Sequence, residues 1–184
     1  MKAALFLDRD GTINEDIGYD FSIDKLKILP GVIEGLRMLG KYYEFFIITN
    51  QAGIGYGYYT LDTFKRFNEA VLEKLNENDI KIVKTYYCPH VPNENCDCRK
   101  PKTKFIKEAE KNFGIDLKNS WMIGDHPSDI LLGINAGFKT VYVLTGHGIE
   151  HINDLEERRI KPTIIANDFL AAANEILKIE KKKG

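Results

Sequence analysis

Two aspartates, Asp8 and Asp10, flank Arg9 directly after the apolar run Ala3–Leu7. Carboxylates two residues apart share one side of an extended chain, and Gly11 lets the following loop turn both toward one point. Because paired anions repel each other, the pair favours a divalent cation such as Mg²⁺, which takes carboxylate and phosphate oxygens. One carboxylate can then attack while the other moves a proton. An Asx turn or a helix cap explains the same residues equally well, so the pair needs support from elsewhere.

Two further polar clusters could serve a phosphate. Thr49, Asn50 and Gln51 follow a second apolar run and lead into a glycine-rich loop, where a hydroxyl, an amide and backbone N–H groups suit phosphate oxygens. Arg99 and Lys100 precede a predicted helix, and they offer a planar fork and a point charge for anionic oxygens. Viewed singly, the first cluster is better explained as a turn and the second as solvated surface.

The fourth cluster, residues 124–129, again follows a short apolar run. Asp125 can complete a metal site with Asp8. Asp129 is either a partner for the groups around the metal or a favourable charge at a helix N-terminus. His126 has three interpretations at this stage: loop surface, substrate contact, or neither.

Apolar runs alternate with amphipathic stretches, which is typical of βα units around a mostly parallel sheet. Ligands bind beyond the carboxyl ends of such strands, so the four clusters are expected to converge. The predicted strands are residues 3–7, 44–49, 80–87, 120–123, 140–144 and 163–166. The predicted helices are residues 30–41, 61–78, 103–113 and 127–136, with a last helix capped by Asn167. Thr60 is expected to cap the second helix, whose apolar stripe is expected to be core, and Gly114 is expected to end the third. The basic residues 181–183 are expected to form a solvated tail.

All three cysteines of the chain lie in residues 88–98, together with one histidine. Cys88, His90, Cys96 and Cys98 provide the three thiolates and one imidazole of a closed tetrahedral Zn²⁺ site. Incidental reduced thiols are the alternative. The segment is too irregular to order itself by packing, and it ends just before Arg99. Bound zinc would therefore fix the loop that positions Arg99 and Lys100.

The four clusters together resemble the haloacid dehalogenase superfamily of phosphohydrolases, over roughly residues 3–145. The resemblance implies a Rossmann-like α/β three-layer sandwich without a large cap domain. It also implies that Asp8 is the nucleophile and forms an aspartyl phosphate, and that Asp10 is the general acid and base. Thr49 and Lys100 would hold the transferring oxygens, and Asp8, the Asp10 backbone carbonyl and Asp125 would bind Mg²⁺. These roles agree with phosphoryl transfer by positioning and charge neutralisation.

The cysteine segment narrows the resemblance to the group of D-glycero-D-manno-heptose 1,7-bisphosphate 7-phosphatases, relatives of histidinol-phosphate phosphatases. The motifs that carry it are residues 7–14, 18–19, 49–51, 88–90 and 96–101. The implied function is Mg²⁺-dependent hydrolysis of a sugar phosphate. The expected substrate-binding residues are Asp16, Gly18, Tyr19, Asn50, Gln51, Arg99 and His126.

Two positions depart from that group, which commonly has a basic residue at Tyr56 and a lysine at His126. Losing two cations weakens the case for a doubly phosphorylated sugar in particular. Histidinol phosphate, the substrate of the related group, is the nearest alternative. A catalytically silent, zinc-stabilised binding module is the alternative of a different class, although the intact Asp8 and Asp10 pair disfavours it.

The 184 residues suit one domain, 1–184, with the zinc loop embedded at 88–98. The 26 basic and 27 acidic residues give a net charge of -1, so no global field favours nucleic acid or membrane partners. No apolar stretch reaches transmembrane length. These features predict a cytoplasmic monomer that acts on a small molecule.

Overall fold

The sheet at the centre of the computed structural model contains six strands that all pair in parallel, in the order β3-β2-β1-β4-β5-β6. The structure describes residues 2–181. The strands are β1 Ala3–Leu7, β2 Tyr43–Asn50, β3 Ile82–Cys88, β4 Trp121–Gly124, β5 Lys139–Val143 and β6 Ile164–Ala166. The helices are α1 Val32–Leu39, α2 Ala52–Gly55, α3 Leu61–Asn76, α4 Lys104–Phe113, α5 Pro127–Ala136, α6 Ile152–Glu157 and α7 Phe169–Lys181.

Helices cover both faces of the sheet, because successive residues of β1 point to opposite sides and all are apolar. Leu5 and Leu7 face a core shared with α1, α3 and α7. Ala4 and Phe6 face a second core shared with α4 and α5. The predicted α/β three-layer sandwich is therefore confirmed, and its sheet is wholly parallel among the described strands.

The predicted elements are all present, and their ends differ from the structure by a few residues at most. Thr60 caps α3 as expected, with its side chain accepting from the Thr63 N–H. The predicted cap of the last helix was wrong, because Asp168 rather than Asn167 accepts from a helical N–H, that of Ala171, at 2.8 Å. The short helices α2 and α6 were not predicted. The expected basic tail lies mostly outside the described residues.

The strand order changes direction between β1 and β4: β2 and β3 add to one side of β1, and β4 to β6 add to the other side. In α/β sheets, this topological switch point is where ligands bind. The Asp8 N–H donates to the Ile123 carbonyl at 2.9 Å, so the residues after β1 and β4 leave the sheet together. Within residues 2–181, no helix is both long and apolar enough to cross a membrane.

Candidate active site

One cavity of about 510 Å³ lies at this switch point and collects the predicted catalytic and substrate-binding side chains. Its lining includes Asp8, Asp10, Asp16, Gly18, Tyr19, Thr49, Asn50, Gln51, Arg99, Lys100, Asp125 and His126. The four clusters expected from the strand ends therefore lie together, and so do Asp16, Gly18 and Tyr19, which the family resemblance implied. The individual roles of these residues stay predictions.

A buried ion-pair triad occupies the floor of the cavity. Lys100 Nζ lies 2.8 Å from Asp8 Oδ1 and 2.7 Å from Asp129 Oδ1, and it donates to the Ile48 carbonyl at 2.9 Å. Burial raises the pKa of Asp8 to about 6, although the Lys100 ammonium opposes the rise. Since one lysine serves two carboxylates, the site carries excess negative charge that a cation would neutralise.

Asp125 adds a third buried carboxylate, and oxygens of Asp8, Asp125 and Asp129 all lie within 4.8 Å of one another. Burial, together with the Asp8 and Asp129 charges, raises the pKa of Asp125 to about 8. Hard oxygen donors packed this closely fit a Mg²⁺ ion. Asp129 is already occupied by Lys100 and by the His126 N–H at 3.1 Å. Asp129 therefore contacts a residue of the site and also caps the N-terminus of α5, so both predicted interpretations remain open.

The loops around Asp125 approach so closely that only glycine fits. Gly11 has φ +78°, and a Cβ there or at Gly146 would collide with Asp125 Oδ2. The His147 N–H donates to that oxygen at 2.8 Å, and Thr145 Oγ1 donates to the Gly11 carbonyl at 2.7 Å. The loop after β5 thereby fixes both the Asp125 carboxylate and the turn after Asp8.

Asp10 is held by side-chain donors on both carboxylate oxygens. Arg9 binds it with a fork, Nε to Oδ1 at 3.1 Å and Nη2 to Oδ2 at 2.9 Å. Asn14 Nδ2 donates to Oδ1 at 3.0 Å, and Gln51 Nε2 donates to Oδ2 at 2.8 Å. Burial alone would raise the pKa of Asp10, but the Arg9 charge and these donors hold it below its usual range.

The cluster after β2 supports its neighbours as well as lining the cavity. Asn50 Oδ1 accepts from the Lys100 N–H at 3.0 Å and so fixes the backbone that carries the lysine. Gln51 connects Asp10 to Thr49 Oγ1, to which it donates at 2.7 Å, and accepts from the Tyr59 hydroxyl at 2.6 Å. The expected direct contact of both amides with substrate therefore competes with these structural bonds.

The rim of the cavity includes a residue that sequence reasoning missed, His147. Its Nε2 lies 3.1 Å from Asp16 Oδ2, and the other Asp16 oxygen accepts from the Gly18 N–H at 2.8 Å. This pair fixes the start of the expected sugar-contacting segment 16–19. Residues 145–147 directly follow β5, so the strand-end argument that found the other clusters would also have found His147.

The two positions that depart from the resembled group differ in placement. His126 lines the cavity, and its Nδ1 accepts from the Ser128 N–H at 3.2 Å to cap α5. Burial and neighbouring positive groups together lower the pKa of His126 to about 4, so the ring is neutral near pH 7. Tyr56 is absent from the described cavity lining, and its half-exposed ring stacks on Tyr58 at 5.3 Å between centroids.

The four predicted zinc ligands form a separate cluster after β3. The Sγ atom of Cys88 lies 2.9 Å from that of Cys98 and 3.7 Å from that of Cys96, and His90 Nδ1 lies 3.2 Å from Cys98 Sγ. Ligand atoms from all four residues lie within 4.8 Å of one another. Three sulfurs and one imidazole nitrogen in one cluster provide the donor set of a tetrahedral Zn²⁺ site.

Comparisons with known proteins agree with this geometry. A family model described as HAD-hydrolase-like matches residues 97–172. The chain is 43% identical to D-glycero-alpha-D-manno-heptose-1,7-bisphosphate 7-phosphatase of Campylobacter jejuni, over 77% of this chain and 81% of that one. It is 44% identical to the D-glycero-beta-D-manno-heptose-1,7-bisphosphate 7-phosphatase of Haemophilus influenzae, over 79% and 84%.

A solved structure extends the similarity to nearly the whole chain. D,D-heptose 1,7-bisphosphate phosphatase from B. bronchiseptica, complexed with magnesium and phosphate, aligns with a TM-score of 0.85. The alignment covers 97% of this chain and 99% of that one at 26% identity.

Proposed function

This chain belongs to the haloacid dehalogenase-like phosphatases, and on that premise we propose that it removes the 7-phosphate from D-glycero-D-manno-heptose 1,7-bisphosphate. The observation that carries the substrate is the identity above 40% to relatives named for this reaction, over more than three quarters of the chain. The cavity supports it, because it holds phosphoryl-binding groups at its floor and has an open rim.

In the proposed first step, the Asp8 carboxylate attacks the phosphorus of the 7-phosphate. The bond between phosphorus and the sugar oxygen breaks, and that oxygen takes a proton from Asp10, which must first bind this proton because the Arg9 charge holds its pKa low. Lys100, 2.8 Å from Asp8, lies where it can neutralise the transferring oxygens, and the buried Thr49 hydroxyl can donate to them. In the second step, Asp10 takes a proton from the water that attacks phosphorus, which releases inorganic phosphate and restores Asp8.

We assign Mg²⁺ to Asp8, the Asp10 backbone carbonyl and Asp125. Magnesium supplies charge neutralisation at the transferring phosphoryl group. The close packing of buried carboxylates beside a single lysine supports this assignment. The solved relative complexed with magnesium and phosphate supports magnesium as the ion.

We assign structural Zn²⁺ to Cys88, His90, Cys96 and Cys98. The segment they occupy is irregular, and Arg99 Nη1 donates to the His90 carbonyl at 3.3 Å. Zinc would therefore hold Arg99 at the cavity, where its planar fork can bind the second phosphate of the substrate. A neutral His126 supplies no charge there, which gives Arg99 greater weight.

The proposal is tested by a panel of phosphoesters with Mg²⁺ present. We expect the heptose 1,7-bisphosphate to have the highest kcat/KM, by more than about tenfold over histidinol phosphate. A preference of that size for histidinol phosphate would overturn the substrate assignment. Because the two relatives named above differ in the anomer in their names, both anomers of the bisphosphate belong in the panel.

The proposal includes a cytoplasmic monomer without nucleic acid or membrane partners. The near-neutral net charge of -1 supports the lack of such partners, and the cluster of free cysteines is suited to a reducing compartment. Light scattering at working concentration would test the monomer.

A further inference from the structure

Arg9 is fully buried, although it lies between the two aspartates of the catalytic loop. Its guanidinium carbon lies 5.3 Å from the ring centroid of Phe21, 5.0 Å from that of Phe64 and 5.2 Å from that of Phe67. Among the described residues, Arg9 Nη1 has no hydrogen-bond partner. The three rings, which we call the aromatic cage, therefore provide the surroundings that water would otherwise provide for this cation.

The rest of the guanidinium faces one carboxylate. Nε and Nη2 each bind a different oxygen of Asp10, so the planar fork fixes the plane of the carboxylate as well as its distance. Arg9 is completely buried, whereas the Asp10 side chain is 21% exposed toward the cavity. The guanidinium thus lies on the core side of Asp10, and the Asp10 carboxylate faces the cavity.

We propose that Arg9 is a positioning residue for Asp10: the aromatic cage fixes the guanidinium, and the guanidinium orients the carboxylate that exchanges protons with the sugar oxygen and with water. The inference rests on the proposed phosphatase function. The predicted apolar stripe of α3, which supplies Phe64 and Phe67, consequently serves the site as well as the core.

The test compares leaving groups. A sugar oxygen needs a proton from Asp10 as it departs, whereas p-nitrophenolate leaves without one, and kcat/KM reports the steps through transfer to Asp8. We expect Arg9→Ala to lower kcat/KM about 100-fold for the heptose bisphosphate and less than about fivefold for p-nitrophenyl phosphate. Equal losses on both substrates would overturn the proposal, because a general structural defect affects both alike.

Chemical rescue gives a second readout. We expect millimolar ethylguanidinium to restore part of the lost sugar-phosphate activity to Arg9→Ala and none to Asp10→Asn, because only the first variant leaves a vacant guanidinium position. Absence of rescue together with equal losses would leave Arg9 a purely structural ion pair.

The cage keeps the proposal testable if Arg9→Ala fails to fold. We expect Phe64→Leu to show a smaller loss with the same leaving-group dependence. The matched control is Phe138→Leu, which makes the same change in the core on the other sheet face and is expected to affect both substrates equally. A Phe64→Leu result identical to the control would contradict the proposal.

The outcome for Arg9 is separable from that of the proposed function. Failure of the wild-type protein to hydrolyse the bisphosphate would refute the substrate assignment. The ratio of variant to wild-type activity could then still be measured on histidinol phosphate, another alkyl phosphate, against p-nitrophenyl phosphate.

Discussion

The two candidate metal sites of this protein are built in opposite ways. The first, which we call the catalytic edge, lies where β1, β2 and β4 end and has buried carboxylates after β1 and β4. The cysteine loop, residues 88–98, contains no helix or regular strand beyond the end of β3. The side chains of its three cysteines and its histidine come together across the loop.

The two sites differ in whether the local fold forms before the metal binds or together with it. At the catalytic edge, strand pairing fixes Asp8 and Asp125 before any ion binds, so repulsion is built into the fold and a weakly held ion can relieve it. In the cysteine loop, we propose that metal binding and local folding are coupled. We therefore expect loss of the first metal to stop chemistry and loss of the second to misplace Arg99.

The largest predicted effect is at the nucleophile. We expect Asp8→Asn to reduce phosphate release by at least about 10³-fold, because an amide cannot form the aspartyl phosphate. The circular dichroism spectrum should stay that of the wild type. Asp62→Asn, on the exposed start of α3, is the control and should retain full activity. Unchanged turnover in Asp8→Asn would refute the nucleophile assignment and favour the silent binding module.

A smaller effect is expected in the cysteine loop. Cys98→Ser should lose the bound Zn²⁺, about one ion per chain in the wild type, and lower kcat/KM by roughly 10- to 100-fold, because Arg99 and Lys100 lose their support. Elemental analysis and kinetics measure both changes. Asn93→Ser alters the same loop without removing a ligand and should keep zinc and activity.

Mild EDTA separates the two metals within the wild-type protein. We expect it to abolish activity, which added Mg²⁺ should restore, while the zinc content stays constant. Zinc-free wild-type protein with full activity would contradict the proposed role of zinc in positioning Arg99.

The smallest effect should separate the geometry of the Arg99 side chain, which directly follows the cysteine loop, from its charge. Arg99→Lys keeps the charge and loses the planar fork. We expect KM for the bisphosphate to rise about fivefold, equivalent to about 1 kcal/mol, with kcat unchanged. A monophosphorylated sugar should show no such rise, and Arg37→Lys, outside the cavity, is the control. An equal rise for the monophosphate would show that Arg99 does not bind the second phosphate.

Sequence reasoning succeeded where one local signal fixes one local outcome. The apolar run at β1 and the caps at Thr60 and Gly114 identified their elements, because hydrophobic pattern and capping act over a few residues. It failed at Asn167, since neighbouring Asn and Asp both cap helices and only the backbone selects Asp168. It also missed α6, a short helix whose only fully buried apolar residue is Leu155.

Much of the candidate site could also be predicted, because the direction of parallel strands fixes where their ends lie. Parallel strands end at one edge, so residues far apart in sequence, such as Thr49 and Asp125, could be placed together without coordinates. The individual contacts between side chains could not be predicted without coordinates. That Asp129 shares Lys100 with Asp8, or that Asn50 fixes the Lys100 backbone, depends on rotamers and distances between segments.

By itself, the sequence determined the layered fold, the residues that meet at the strand ends and the cluster of three cysteines and one histidine proposed to bind zinc, because each depends on local pattern or strand direction. Only the tertiary structure decided the environment of each group. It buried Arg9 in three aromatic rings, made His126 a neutral helix cap and brought His147 to the rim. Burial and long-range packing set such properties, and both arise only when distant segments come into contact.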